Sequence, residues 1–160
     1  IYKELKHLNS KNKQTYTHTI IINLKEYITR HDKICSRLHY NVCKEFGIKT
    51  KNKWYEHTPE AVTESGAVTI LYNHPIHTDR FIPANKPDLV IRDKNKRECL
   101  IIDVSVPMDN NVQGKQAEKL LKYKDLQIEI SRVSLPLPSV RFWRLESLKC
   151  NIESVNELQV

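Results

Sequence analysis

The segment KPDLVIRDKNKRECLIIDVSVP, residues 86–107, sets Asp88 at the head of one apolar run and Asp103 inside another. It reads as two strands, 88–92 and 98–106, around the turn DKNKR, with Pro107 closing the second. A symmetric hairpin has its midpoint between Asn95 and Lys96, which places Asp88 directly opposite Asp103. Directly opposed residues share a face, with Cβ atoms about 5 Å apart, and like charges so placed destabilise a sheet. Burial raises the cost. A shared proton, a cationic side chain or a divalent metal would offset it. Mg²⁺ suits two carboxylates: it takes oxygen ligands at roughly 2.1 Å, keeps several waters and bridges to phosphate. Bound there, it would polarise a phosphoryl oxygen and activate a water. The pair therefore points to phosphodiester hydrolysis. The plain alternative makes Asp88 a turn residue after Pro87 and Asp103 half of an ion pair. A register slip by one residue would turn the two side chains to opposite faces.

The rest of the chain supplies elements to position them. Residues 1–25 are polar and Lys-rich apart from TIIINL, and predict a loosely ordered start. EYITRHDKICSRLHYNVCKEFG then predicts a helix, with Ile28, Ile34, Cys35, Leu38, Val42 and Phe46 at helical spacing and Gly47 as its stop. A basic connector, 48–66, leads to AVTILYNHPIH, a strand in which Val68, Ile70 and Tyr72 alternate until Pro75. NVQGKQAEKLLKYKDLQIEISR predicts a second helix with two candidate inward rows. One is Ala117, Leu120, Leu121, Lys124 and Ile128; the other is Lys119, Tyr123, Leu126 and Ile130. VSLPLPS is broken by Pro136 and Pro138, and the tail after it admits a strand, a helix or no order. The order α-β-β-β-α, with a final strand left open, predicts an α/β domain: a small mixed sheet flanked by helices.

The chain of 160 residues suits one domain. It opens on Ile1, which suggests a piece of a longer protein. Twenty-six Lys and Arg against nineteen acids give a formal charge of +7 and suggest a polyanionic partner, with a merely basic surface as the bland alternative. Cys35, Cys43, Cys99 and Cys150 form no C-x-x-C pair. They read as unpaired thiols of a reducing compartment, and the first three as core filler. The apolar runs are too short for a membrane span.

Taken in order, KPD, then Asp103 within LIIDVSVP, then AEKLLKYKDL resembles the restriction-like endonuclease domain of non-LTR retrotransposons that insert site-specifically into ribosomal RNA genes. That domain belongs to the PD-(D/E)xK nucleases. RHDKICSRLHYNVCKEFGI is similar to its opening helix, so the resemblance spans 26–132, after a degenerate stretch 1–25 and before a divergent tail 133–160. It implies a restriction-endonuclease-like core and a Mg²⁺- or Mn²⁺-dependent endodeoxyribonuclease. Such an enzyme nicks target DNA in the nucleus for target-primed reverse transcription. Its partners would be DNA and, in the parent element, a reverse transcriptase domain and the element RNA. Asp88 and Asp103 would be the metal ligands. Ser105 stands where the superfamily usually has lysine, and the resemblance moves that role to Lys119 or Lys122. Arg30, His31, Lys86 and Tyr123 match positions near the DNA.

Two departures stand out. The family's zinc knuckle, C-x2-C-x7-H-x4-C, falls here on His7, Ser10, His18 and Asn23. Ser10 and Asn23 cannot serve a structural zinc, so no zinc is expected. The apolar strand after the second helix is also unlike the family's, although SVRFWRL could substitute for it. A non-catalytic nucleic-acid-binding relic of a decayed mobile element is therefore the alternative to an active nuclease.

Overall fold

The computed structural model describes residues 10–105, 112–133 and 139–146, with side chains described at 18, 21–105, 121–132 and 140–141. Among the described residues, two α-helices and one 3₁₀ turn accompany a five-stranded mixed sheet. The helices are α1, Ser10–Glu45, and α2, Val112–Val133; the turn is Trp54–Glu56. The strands are β1, Val62–Ser65; β2, Val68–Tyr72; β3, Leu89–Asp93; β4, Glu98–Ser105; and β5, Ser139–Glu146. They lie side by side in chain order, antiparallel from β1 to β4, with β5 parallel to β4.

Each face of the sheet is covered. On one side Cys35, Leu38 and Val42 of α1 pack against Val68, Ile70, Leu89, Ile91, Ile102 and Val104. On the other, Tyr123, Leu126 and Ile130 of α2 pack against Val90, Cys99 and Ile101, with Ile76 and Ile82 from the loop before β3. Successive strand residues point to opposite faces. Covering on both sides therefore explains why β4 is almost continuously buried rather than alternating.

Three expectations are corrected. The first helix begins at Ser10 and not near Glu26; the β-branched run within TIIINL, a poor helix former, hides its continuation. Ile28 stays exposed; among the described residues, α1 meets the core from Ile34 to Phe46. The basic connector holds a strand, β1, whose residues are mostly solvated and so carry little hydrophobic signal. The structure also chooses between the two rows of α2. Leu121 and Ile128 are 69% and 47% exposed, whereas Tyr123, Leu126 and Ile130 are buried. The tail segment SVRFWRL lies in β5, beside β4. His7 and Cys150 fall outside the described residues, as does the side chain of Lys119.

Turn chemistry fixes the register. Gly66, at φ +56°, takes the first central position of the two-residue β1–β2 loop. In the β3–β4 loop the Asp93 carboxylate accepts the N–H groups of Asn95 and Lys96 at 2.8 and 3.0 Å. α1 ends in a Schellman motif: Gly47, at φ +65°, donates to Lys44 O, and Ile48 N–H reaches Cys43 O at 2.8 Å. Ile48 then packs against the α1-side core.

His39 is the polar exception in that core, only 1% exposed. Burial, followed by the neighbouring His57, lowers it from an ordinary 6.5 to about 4. The unfolded chain therefore binds a proton that the fold excludes between those values, so stability falls as pH drops from 6.5 towards 4. His39 contributes about 3 kcal/mol to that loss. Urea unfolding of the chelator-treated protein at pH 7 and pH 4 should show a larger loss in the native chain than in His39→Gln.

Candidate active site

β4 carries Asp103, and Asp88 stands one residue before β3. The β3–β4 register pairs Leu89 with Ile102, so the next step brings positions 88 and 103 opposite each other. The hairpin centre between Asn95 and Lys96 sets this arrangement.

The two carboxylates are held differently. Asp103 is 4% exposed, and its Oδ1 accepts the Tyr123 hydroxyl at 3.0 Å. That hydroxyl in turn accepts from Lys122 Nζ at 3.0 Å, and the ammonium lies 4.6 Å from the Tyr123 ring centroid. Lys122 itself is exposed. Asp88 Oδ2 accepts the backbone N–H of Val104 at 2.7 Å and lies 3.3 Å from His31 Nε2. The main chain of Asp88 is fixed as well, since its carbonyl accepts Asn73 N–H at 2.8 Å. Asp103 thus leans on α2, while Asp88 sits at the strand end, held by β4 and α1.

Electrostatics follow this geometry. Asp88 raises the His31 pKa above its ordinary value, chiefly by hydrogen bonding; burial opposes this and Asp32 adds to it. Tyr123 is raised strongly, first by burial, then by the charge and hydrogen bond of Asp103, then by the charge of Asp88. One phenol therefore senses both acids and stays protonated, as it must to donate to Asp103.

Of the residues singled out from the sequence, the structure gathers Asp88, Asp103, Lys122, Tyr123 and His31. Tyr123, expected near the DNA, is 1% exposed and bonds Asp103. Arg30 and Lys86 are exposed, and the Arg30 Nε bonds the Glu26 carbonyl. Lys119 lies on α2 one turn before Tyr123.

Sequence reasoning missed Cys35, whose sulfur lies 3.7 Å from His31 Nδ1. His31, Cys35 and Asp88 bring one donor atom each within 4.8 Å of one another. The signal was available, since 31 and 35 are one helical turn apart. It also missed Tyr72, whose pKa burial raises to about 12, with smaller contributions from Cys35, Asp32 and Asp88.

Among the described residues, no helix is long and apolar enough to cross a membrane. The chain matches no protein-family model, no curated protein and no solved structure.

Proposed function

We propose that this chain is a metal-dependent DNA endonuclease domain, with a restriction-endonuclease-like core, from a retrotransposon polyprotein. It nicks target DNA in the nucleus for target-primed reverse transcription. The reading is carried by the strand register, whose next step past Leu89–Ile102 sets positions 88 and 103 opposite each other, with Asp103 bonded to Tyr123 and Tyr123 to Lys122.

The donors fit Mg²⁺ or Mn²⁺: both are carboxylates, hard oxygen ligands with about four lone-pair sites each. A bound ion would supply Lewis acidity to the phosphate and an activated water. The protein's own residues do the rest. Val104 N–H and His31 fix the Asp88 carboxylate, and Tyr123 fixes that of Asp103. Lys122 places a positive charge at the exposed end of this chain of bonds, where it can stabilise negative charge developing on a phosphate. Exposed Arg30 and Lys86, within a chain of net charge +7, serve the DNA backbone.

The test is nicking of supercoiled plasmid. Native protein should nick with Mg²⁺ and not with chelator, and Lys122→Met should lose about 10²-fold in rate without a change in melting. Equal nicking by native protein and Asp88→Asn would reject the reading.

One observation favours a non-catalytic DNA-binding relic instead. Val104, His31 and Tyr123 already supply partners to both acids without a cation. Salt-dependent DNA binding with no effect of Mg²⁺ on melting or nicking would select it.

A further inference from the structure

Away from the acid pair, α1 presents His39 and Cys43 one helical turn apart, facing the connector that precedes β1. His39 Nδ1 lies 2.8 Å from His57 Nε2 and 3.6 Å from Cys43 Sγ. One donor atom from each residue falls within 4.8 Å of the other two. His39 and Cys43 are buried, and His57 is half-buried. Two imidazole nitrogens that close must share either a proton or a cation. A thiol at the same corner favours the cation, because sulfur is a poor hydrogen-bond partner and a strong ligand for soft metals.

We infer that His39, Cys43 and His57 bind Zn²⁺ or a chemically similar transition-metal ion. In a tetrahedral zinc site, ligand atoms stand about 3.3 Å apart for two nitrogens and about 3.6 Å for nitrogen and sulfur. The Cys43–His39 separation already has that value, and the two histidines need part by only about half an ångström. The other nitrogen of His39 is 3.5 Å from Thr63 Oγ1, the outer partner that orients a ligating imidazole. Tyr40 packs edge-on against the His57 ring, and the Ser36 hydroxyl bonds the His57 carbonyl, so the third ligand is also braced. The ligands flank a cavity of about 470 Å³ that Glu60 and Thr58 also line. Water entering from that side would complete the coordination. On binding, the Cys43 thiol proton passes to solvent.

The ion would staple the end of α1 to the connector, where Gly47 and Ile48 turn the chain. This site is separate from the acid pair, whose oxygen donors suit harder ions. It is distinct from the amino-terminal spacing of His7, Ser10, His18 and Asn23, which supplies too few ligands for zinc.

Cobalt is the probe. Chelator-treated protein titrated with Co²⁺ should bind one equivalent with a tetrahedral visible spectrum and a thiolate-to-cobalt charge-transfer band, unaffected by excess Mg²⁺. Cys43→Ser should lose that band. Cys35→Ser, at the other soft cluster, should keep it. His57→Asn should weaken Co²⁺ binding by at least about tenfold, and Zn²⁺ should raise the melting temperature of native protein but not of this variant. A band that survives Cys43→Ser, or one lost in Cys35→Ser, overturns the inference, as does native protein that binds no Co²⁺. Should Cys43→Ser fail to fold, His57→Asn decides: unchanged affinity rejects the site, and a proton shared between two histidines then explains the geometry.

Discussion

Asp103→Asn is expected to abolish Mg²⁺-dependent nicking, by about 10³-fold or more, while leaving the fold as stable as before or slightly more so. The two effects have one cause. In the metal-free protein Asp103 is a buried carboxylate at the register position opposite a second acid, a placement that costs free energy. An amide of the same shape removes the charge and still accepts the Tyr123 hydroxyl through its oxygen. Melting without metal should therefore hold or rise, and any increase in melting temperature on adding Mg²⁺ should vanish. Far-UV circular dichroism and plasmid nicking on the same preparation check both halves. A variant that melts much lower would instead make Asp103 a structural ion-pair residue, and the nuclease reading would lose its main support.

Replacing Tyr123 with Ala should cost about 3–5 kcal/mol, a large part of the roughly 5–15 kcal/mol that a domain of this size holds. The ring is 1% exposed and fills the α2 side of the core with Leu126, Ile130, Val90 and Ile101. Its loss opens a cavity and strips Asp103 of a donor. Tyr123→Phe separates these causes: it keeps the packing and removes only the hydroxyl, at about 1–3 kcal/mol. Urea unfolding of both variants measures the split. If Phe costs as much as Ala, the hydrogen bond to Asp103 dominates; if Phe costs nothing, Tyr123 is merely core. Nicking should fall in Phe as well, because Lys122 loses the oxygen that links it to Asp103.

The β3–β4 hairpin was legible because local rules agreed. An apolar run, a charged four-residue loop and a second run fix one register, and Asp88 and Asp103 follow from arithmetic. Val68–Tyr72 was legible by alternation, and α2 by its period. What stayed hidden had physical causes. β1 is solvated and short, so VTES carries no apolar pattern. Ile21, Ile22, Leu24 and Ile28 of α1 are exposed and so lack the burial that writes a period into sequence. Two rows on α2 were equally apolar by composition, and only packing against Val90 and Ile101 chose the row with Tyr123. Cys43 read as filler and His39 gave no signal, because each is a plausible core residue alone; their closeness to His57 comes from contact across the connector.

The route by which β4 reaches β5 has a consequence for assembly order. A parallel neighbour cannot be joined by a tight turn, and here the linking crossover contains α2. The β3–β4 hairpin closes over the short loop between Asp93 and Glu98 and can form early, whereas β5 pairs with β4 only by bringing Ser139 back to Glu98 across the whole crossover. The antiparallel ladder from β1 to β4 can therefore assemble before its parallel edge is added. β4, the strand that carries Asp103, would then gain its second neighbour only in the last step of folding.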